Sequence, residues 1–535
     1  MKKFLTLLLS VLMTISLFAG CSGENAETTE QDTTAATQQQ ATEPTDAGIA
    51  MPDINGVFSV GYGIADITPR ENVSLAGFSD ANERISNAVM DPIYTTCTAI
   101  TDEDGTTILL FGLDLLHTYE VLSNNIRKLL EEKFGIPGDH VMFFASHTHS
   151  SLNQTNDAPE MARANELFKE QCVAAAEQAL ADRKPAKMEA TFSRPEYLNY
   201  RRHYVLSDGT YQAYHLGEVD NGKIYGHLGM ADNLLQMVKF TREGGCDVMM
   251  INWQAHYASA TDQNYYGISA DYPGVLRNEL RSQLGCETIF FLGGSGNVTS
   301  GTRIKNEPDR ENYIEQGKAL AAEVVKASGN FKPLSTGKIV VTRNDYVFEG
   351  TTKVHPLYTL GFGEWGCAFG PFEIFDMHAQ SVRENSPYKY TFYASCANSS
   401  KGNSYLPHEA SFDYYCYEAD VTKYAKGAGE ALRDELTKMI RETFTASGQE
   451  PQTREEGYIE QPYVPKTNGK TYVNPAPGSL PVTEGQNGYL CMTVLLDGKM
   501  APLLFKDRAL AERVATMDTF RLLFDDYNTV VGIVE

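Results

Sequence analysis

Apolar and polar positions alternate from Phe58 to Pro69, the pattern of an edge strand that a proline ends. The run from Thr106 to Asp114 is almost continuously apolar, which predicts a strand buried on both faces and closing on an acid. From Leu122 to Phe134 the apolar positions recur every three or four residues, so one face of a helix lies on a core. That segment leads through Gly135-Ile-Pro-Gly138 into a second apolar run beginning at Val141. The β-α-β succession predicts an α/β fold of mixed, layered sheets with helices.

The alternation continues along the chain. Gln212 to Gly222 reads as a loop or hairpin, Leu234 to Phe240 and Val248 to Trp253 as strands, and Pro273 to Leu284 as a helix. A short buried strand from Thr288 to Leu292 enters a glycine-rich turn, Gly293 to Gly301. Glu311 to Ser328 and Val421 to Phe444 carry the clearest helical spacing. Tyr489 to Leu496 reads as a strand and Asp507 to Met517 as an amphipathic segment.

The ends of the chain differ from its middle. A basic Met1-Lys2-Lys3, an apolar stretch from Phe4 to Phe18 and then Ala19-Gly20-Cys21 form an export signal that resembles a bacterial lipobox. Residues 1–21 are therefore expected to be a lipoprotein signal peptide. Lipidated Cys21 would anchor the chain to the cell membrane of a bacterium, on its extracytoplasmic side. Residues 22–55 are mostly Thr, Gln, Glu and Ala and cannot repay the entropy of ordering, so they are expected to be a tether. Residues 56–447 are assigned to the main domain, and 448–535 to a small carboxyl-terminal subdomain or extension.

Composition narrows the choice of partners. The 535 residues are 42% hydrophobic, enough for one large core or two ordinary ones. With 45 Lys and Arg against 69 Asp and Glu, the net charge of -24 argues against nucleic acid as a partner. The cysteines beyond Cys21 show no paired spacing of the zinc-ribbon kind.

The chemistry gathers at predicted strand ends. Val141-Met-Phe-Phe-Ala-Ser-His-Thr-His-Ser150 closes an apolar run with His147 and His149 at i, i+2, and Met250-Ile-Asn-Trp-Gln-Ala-His256 delivers a third imidazole in the same way. Histidines at accessible strand ends suit a hydrolytic zinc site. The glycines of the 293–301 turn let backbone approach a ligand closely, and its hydroxyls suit a polar intermediate.

Five segments occur here in one order: Gly63-Ile-Ala-Asp-Ile-Thr-Pro69, Ala145-Ser-His-Thr-His-Ser150, Ile251-Asn-Trp-Gln-Ala-His256, Ile268-Ser-Ala-Asp-Tyr-Pro-Gly274 and Gly296-Asn-Val-Thr299. In this the chain resembles the amino-terminal catalytic domain of the neutral ceramidases. The resemblance implies one Zn²⁺ held by His147, His256, Glu373 and Tyr405, with Glu364 as the rival to Glu373. It implies that zinc-activated water attacks an N-acyl amide of a small molecule or lipid, ceramide being one candidate. His149 would move protons, Arg201 would steady an oxyanion or a substrate hydroxyl with Arg202 as its alternate, and Tyr417 would bond the carbonyl oxygen. Asp114, at a neighbouring strand end, would orient a ligand histidine. Thr299 stands where the family has a serine, and Ser150-Ser-Leu152 replaces the usual Ser-Gly-Pro. Two alternatives stay open: a binding lipoprotein with a degenerate site, and a zinc esterase or cell-wall amidase.

Overall fold

The computed structural model describes residues 51–207, 209–213, 223–256, 259–304, 312–398, 405–459, 466–484, 489–525 and 529–534. The expected lipobox and most of the expected tether lie outside these residues, as do residues 214–222 of the expected hairpin.

The central element is a mixed nine-stranded sheet. Its main path runs Glu287–Leu292, Val248–Trp253, Leu235–Arg242, Lys184–Ser193, Ser59–Asp66, Tyr94–Thr101, Thr107–Leu113 and Val141–Ala145, with Lys332–Leu334 paired to Lys184–Ser193. Neighbours along this path are antiparallel except at its two ends. There Thr107–Leu113 runs parallel to Val141–Ala145, and Val248–Trp253 parallel to Glu287–Leu292.

Period-two alternation sorts the side chains into layers. Val60, Ile108, Leu110, Met142, Phe144, Val238, Met250 and Phe291 point to one face. They pack on Leu360, Phe362, Phe369 and Phe392 of a second sheet built from Val340–Val347, Val354–Phe362, Trp365–Phe369 and Tyr390–Ala394. The opposite residues of the large sheet, such as Leu109, Phe111 and Phe143, pack under the helices Glu120–Phe134 and Pro159–Ala181. Met237, Met249 and Ile251 pack likewise under Asp271–Leu284 and Tyr313–Ala327. Leu432, Leu436 and Met439 of the helix Ala428–Ser447 cover the outer face of the second sheet. The layers are helix, sheet, sheet, helix, so the mixed α/β architecture read from the sequence is present.

The two end strands of the large sheet meet. Phe144 and Phe291 stack with ring centres 4.1 Å apart, a contact worth about 0.5–1.5 kcal/mol beyond its buried area. Ser395 N donates to Leu292 O (2.8 Å) and Asn398 N to Phe143 O (2.8 Å), so the segment after Tyr390–Ala394 bridges the two edges. The sheet therefore curls, and the carboxyl ends of Val141–Ala145 and Val248–Trp253 converge although they lie far apart in strand order.

One expectation changes, and two further features go beyond the sequence reading. The helix expected over Val421 to Phe444 is two helices, Tyr417–Val421 and Ala428–Ser447, because Gly427 takes φ 89° at the start of the second. Pro159–Ala181 is a helix of 23 residues that the spacing leaves unassigned, since half of its buried residues are alanine. The carboxyl-terminal region contains an eight-stranded sheet with its own core of Met492, Val494, Leu503, Phe505 and Val514. The eight cysteines among the described residues are unpaired, and no helix among those residues is long and apolar enough to cross a membrane.

His355 sits between Phe348, Phe372 and Tyr424, and burial, with Lys353 adding, pushes its pKa down to about 4. The unfolded chain then binds more protons than the folded one below about pH 6.5, so this contribution to stability is full above 6.5 and is lost as the pH falls toward 4. Urea unfolding of the parent is expected to lose about 1–2 kcal/mol more between pH 8 and pH 5 than a His355→Gln variant does. Parallel pH slopes for the two proteins would refute this.

Candidate metal centre

His147 leaves the Val141–Ala145 strand with φ 71°, a left-handed conformation that costs a non-glycine residue on the order of 1–3 kcal/mol. The twist aims its ring inward, where it is 1% exposed. Its Nδ1 donates to Leu116 O (2.9 Å), which fixes the tautomer and presents the Nε2 lone pair to the site. The orienting group is thus a backbone carbonyl and not Asp114. That carboxylate is engaged by Arg277 (2.7 Å) and by the Tyr94 amide (2.9 Å).

Four groups converge on the point that His147 faces. His147 Nε2 lies 3.2 Å from Glu373 Oε2 and 3.4 Å from His149 Nε2, and His149 Nε2 lies 3.0 Å from His256 Nε2. One ring nitrogen from each histidine falls within 4.8 Å of the others, and all three are buried. His256 is held by its amide, which donates to Val298 O (2.8 Å). His149 is walled in by Gly77, where an added Cβ would lie 2.7 Å from its ring, and by Phe78.

Tyr405 reaches the cluster beside Glu373, because Glu373–Ile374 and Tyr405–Leu406 pair as parallel strands. Its ring stacks over His256 at 6.4 Å and meets Tyr417 edge-on at 5.8 Å. Glu364 is elsewhere, accepting from Ser335 N and pairing with Lys389. Thr299 is half-buried and forms a backbone bridge to His256. Arg201 and Arg202 diverge on their short strand. Arg201 Nε is 3.0 Å from Asp376 Oδ2, whereas the Arg202 guanidinium lies 5.6 Å from the Tyr405 ring centre. The arginine beside Tyr405 is therefore Arg202, in place of the expected Arg201.

The glycine-rich turn also serves a different purpose from the expected one. A Cβ on Gly294 would come within 2.9 Å of Asp376 Cα, and one on Gly296 within 2.6 Å of Glu373 O. The glycines admit the backbone that carries Glu373, not a ligand. Cys396 and His117 are further neighbours with no signal in the sequence pattern. The Cys396 thiol is 3.4 Å from His147 Nδ1, and the His117 ring is 5.4 Å from that of His147.

The electrostatics suit a cation. Burial, with His147 adding, pushes His149 well down, and burial with Arg202 does the same to His256, so both stay neutral, the form that ligates. Burial opposes charge on both Glu373 and His147, but each holds the other charged: the carboxyl lies well below its ordinary range and the imidazole, with Cys396 adding, well above its own, so a metal at this point takes the place of the His147 Nε2 proton. Glu373 Oε2 and His256 Nδ1 are buried without a hydrogen bond among the described residues, a cost of about 1–3 kcal/mol each that a cation offsets. Imidazole nitrogens with a carboxylate oxygen are the donor set of a catalytic zinc site.

No protein-family model matches the chain, and no curated protein does. Solved structures are similar to it. Neutral ceramidase from Pseudomonas aeruginosa superposes with a TM-score of 0.59 at 16% identity, covering 82% of this chain and 84% of that one. A ceramidase complexed with C2 gives 0.58 at 14% identity, covering 84% of this chain and 89% of that one. With its layered sheets and its strand-end histidines, the chain has a neutral ceramidase-like fold.

Proposed function

We propose that the protein is an extracytoplasmic, zinc-dependent amidohydrolase that cleaves an N-acyl amide of a lipid or related small molecule. The observation that carries this reading is the convergence of His147, His149, His256 and Glu373, from three separate segments, onto one buried point. The solved structures of like fold are ceramidases, which supports an amide substrate. His147, His256, Glu373 and Tyr405 would hold the metal. Zinc, when bound, activates water near neutral pH and polarises a carbonyl.

The chain's own groups supply the rest. His149 Nε2 lies 3.0 Å from His256 Nε2 and 3.4 Å from His147 Nε2, beside the proposed ligands, and from there it would take a proton and pass it to the leaving amine. Tyr417 and Arg202 flank Tyr405 and offer donors to a developing oxyanion, and Thr299 is bridged to His256 through the backbone. A cavity of about 400 Å³ adjoins the Tyr200–Arg201 strand, and Tyr197, Tyr225, Met230 and Ile304 in its lining suit an apolar tail. The amino-terminal lipobox, with lipidated Cys21, would hold the enzyme at a membrane surface, where such substrates reside.

The test is turnover of fluorogenic N-acyl amides and their matching esters. Zinc-dependent cleavage of the amides, abolished by Glu373→Gln, is the expected result. Cleavage of esters alone would replace the amidase reading with an esterase. Cleavage of neither would leave a ligand-binding lipoprotein.

A further inference from the structure

The Tyr417–Val421 helix buries an acid that the catalytic reading does not use. Glu418 is 0% exposed, and both its oxygens are engaged. Oε1 accepts from Arg202 Nε (2.7 Å), while Oε2 is met by the Cys416 thiol (3.2 Å) and faced by His203 Nε2 (3.3 Å). His203 is braced in turn through Nδ1 by the Tyr414 hydroxyl (2.7 Å), which lies 3.1 Å from Ser411 Oγ. On its other side Arg202 Nη2 donates to Gly296 O (2.7 Å). The guanidinium is thereby clamped at two points, with its carbon 5.6 Å from the Tyr405 ring centre.

His203, Cys416 and Glu418 have ligand atoms within 4.8 Å of one another, so the cluster invites reading as a second cation site. Charge argues otherwise. Arg202 already balances Glu418, and burial together with that carboxylate pushes the Cys416 thiol up, so the thiol stays neutral and donates. A buried ion pair of this kind is often no more stable than an apolar replacement, so its presence asks for a reason other than stability. Its location supplies one, since Arg202 ends beside a candidate metal ligand.

We propose that Glu418 is a positioning residue, which through Arg202 sets the approach of Tyr405 to the metal. The inference rests on the metallohydrolase reading and assigns the His203, Cys416 and Tyr414 network the task of holding Glu418.

Cobalt substitution tests it without relying on turnover, because the visible absorption of Co²⁺ reports ligand identity and geometry. The full-length protein, Glu418→Gln, Arg202→Lys, the double variant and Tyr405→Phe are each loaded with Co²⁺. One cobalt per chain is expected in all, with Glu418→Gln and Arg202→Lys shifting the spectrum in the direction that Tyr405→Phe does. The double variant should go no further than either single one, since the two residues act in series. Cobalt affinity should fall about tenfold in Glu418→Gln. Arg202→Lys keeps the buried charge pair, so it serves if Glu418→Gln does not fold. A spectrum unchanged in a folded Glu418→Gln overturns the proposal while leaving the metal centre standing. A second cobalt in the parent that Glu418→Gln removes also overturns it, by making the cluster a metal site. No cobalt in the parent sinks the hydrolase reading and this proposal together.

Discussion

Gly296→Ala is expected to weaken zinc binding on the order of 10–100-fold while leaving the protein folded. The new methyl would lie 2.6 Å from Glu373 O and 3.1 Å from both Glu373 C and Ile374 O, which are backbone atoms that cannot rotate away. Relief must come from shifting either the Glu373–Ile374 strand or the glycine turn. The first displaces the carboxylate proposed to hold the metal. The second moves the Gly296 carbonyl that fixes Arg202, so the metal centre is disturbed in both cases. Overpacking of this kind costs about 1–3 kcal/mol, which a chain of this size can absorb. Competition with a chromophoric chelator measures the affinity, and Gly329→Ala, where a Cβ meets nothing within 4 Å, is the control. Equal zinc affinity in Gly296→Ala and the parent would show that the turn does not set the ligand.

Asp376→Ala is expected to destabilise the fold by about 3–5 kcal/mol, the largest effect on stability anticipated here. Asp376 is 0% exposed and accepts from Arg201 Nε, Asn297 Nδ2 (2.9 Å), Asp232 N (2.9 Å) and Met377 N (2.9 Å). Its loss removes the carboxylate that balances a buried guanidinium, at a junction where the adjacent Asp232 is itself bound by Arg383 (2.6 Å). Urea denaturation measures the change. A loss below about 1 kcal/mol would mean that the Arg201 charge is compensated elsewhere.

These two residues mark where sequence reading stops. The strands that carry His147 and His256 were legible because each is an unbroken apolar run ended by polar residues, and such a run has few other fates. Their convergence was not, because it depends on the curl of a sheet whose two edges are closed by Ser395 and Asn398 from a distant segment. Glu373 was reachable only through the ceramidase resemblance, since a single acid in Gly370-Pro-Phe-Glu373 has no periodic signature. Arg201 and Arg202 were inseparable in sequence. Adjacent residues on a strand face opposite ways, and which way each faces is set by Asp376 on one side and Glu418 on the other. The alanine-rich helix Pro159–Ala181 escaped for another reason: small side chains pack closely under Gly61 and Gly63 without producing a strong apolar stripe.

The measurement closest to the central claim is the zinc content of the purified protein beside that of the His147→Ala, His256→Ala double variant. On the metallohydrolase reading, the parent holds about one zinc per chain and a folded double variant none, since two imidazole ligands are gone. A parent that holds no zinc after zinc is supplied would contradict it, as would a double variant that keeps the metal.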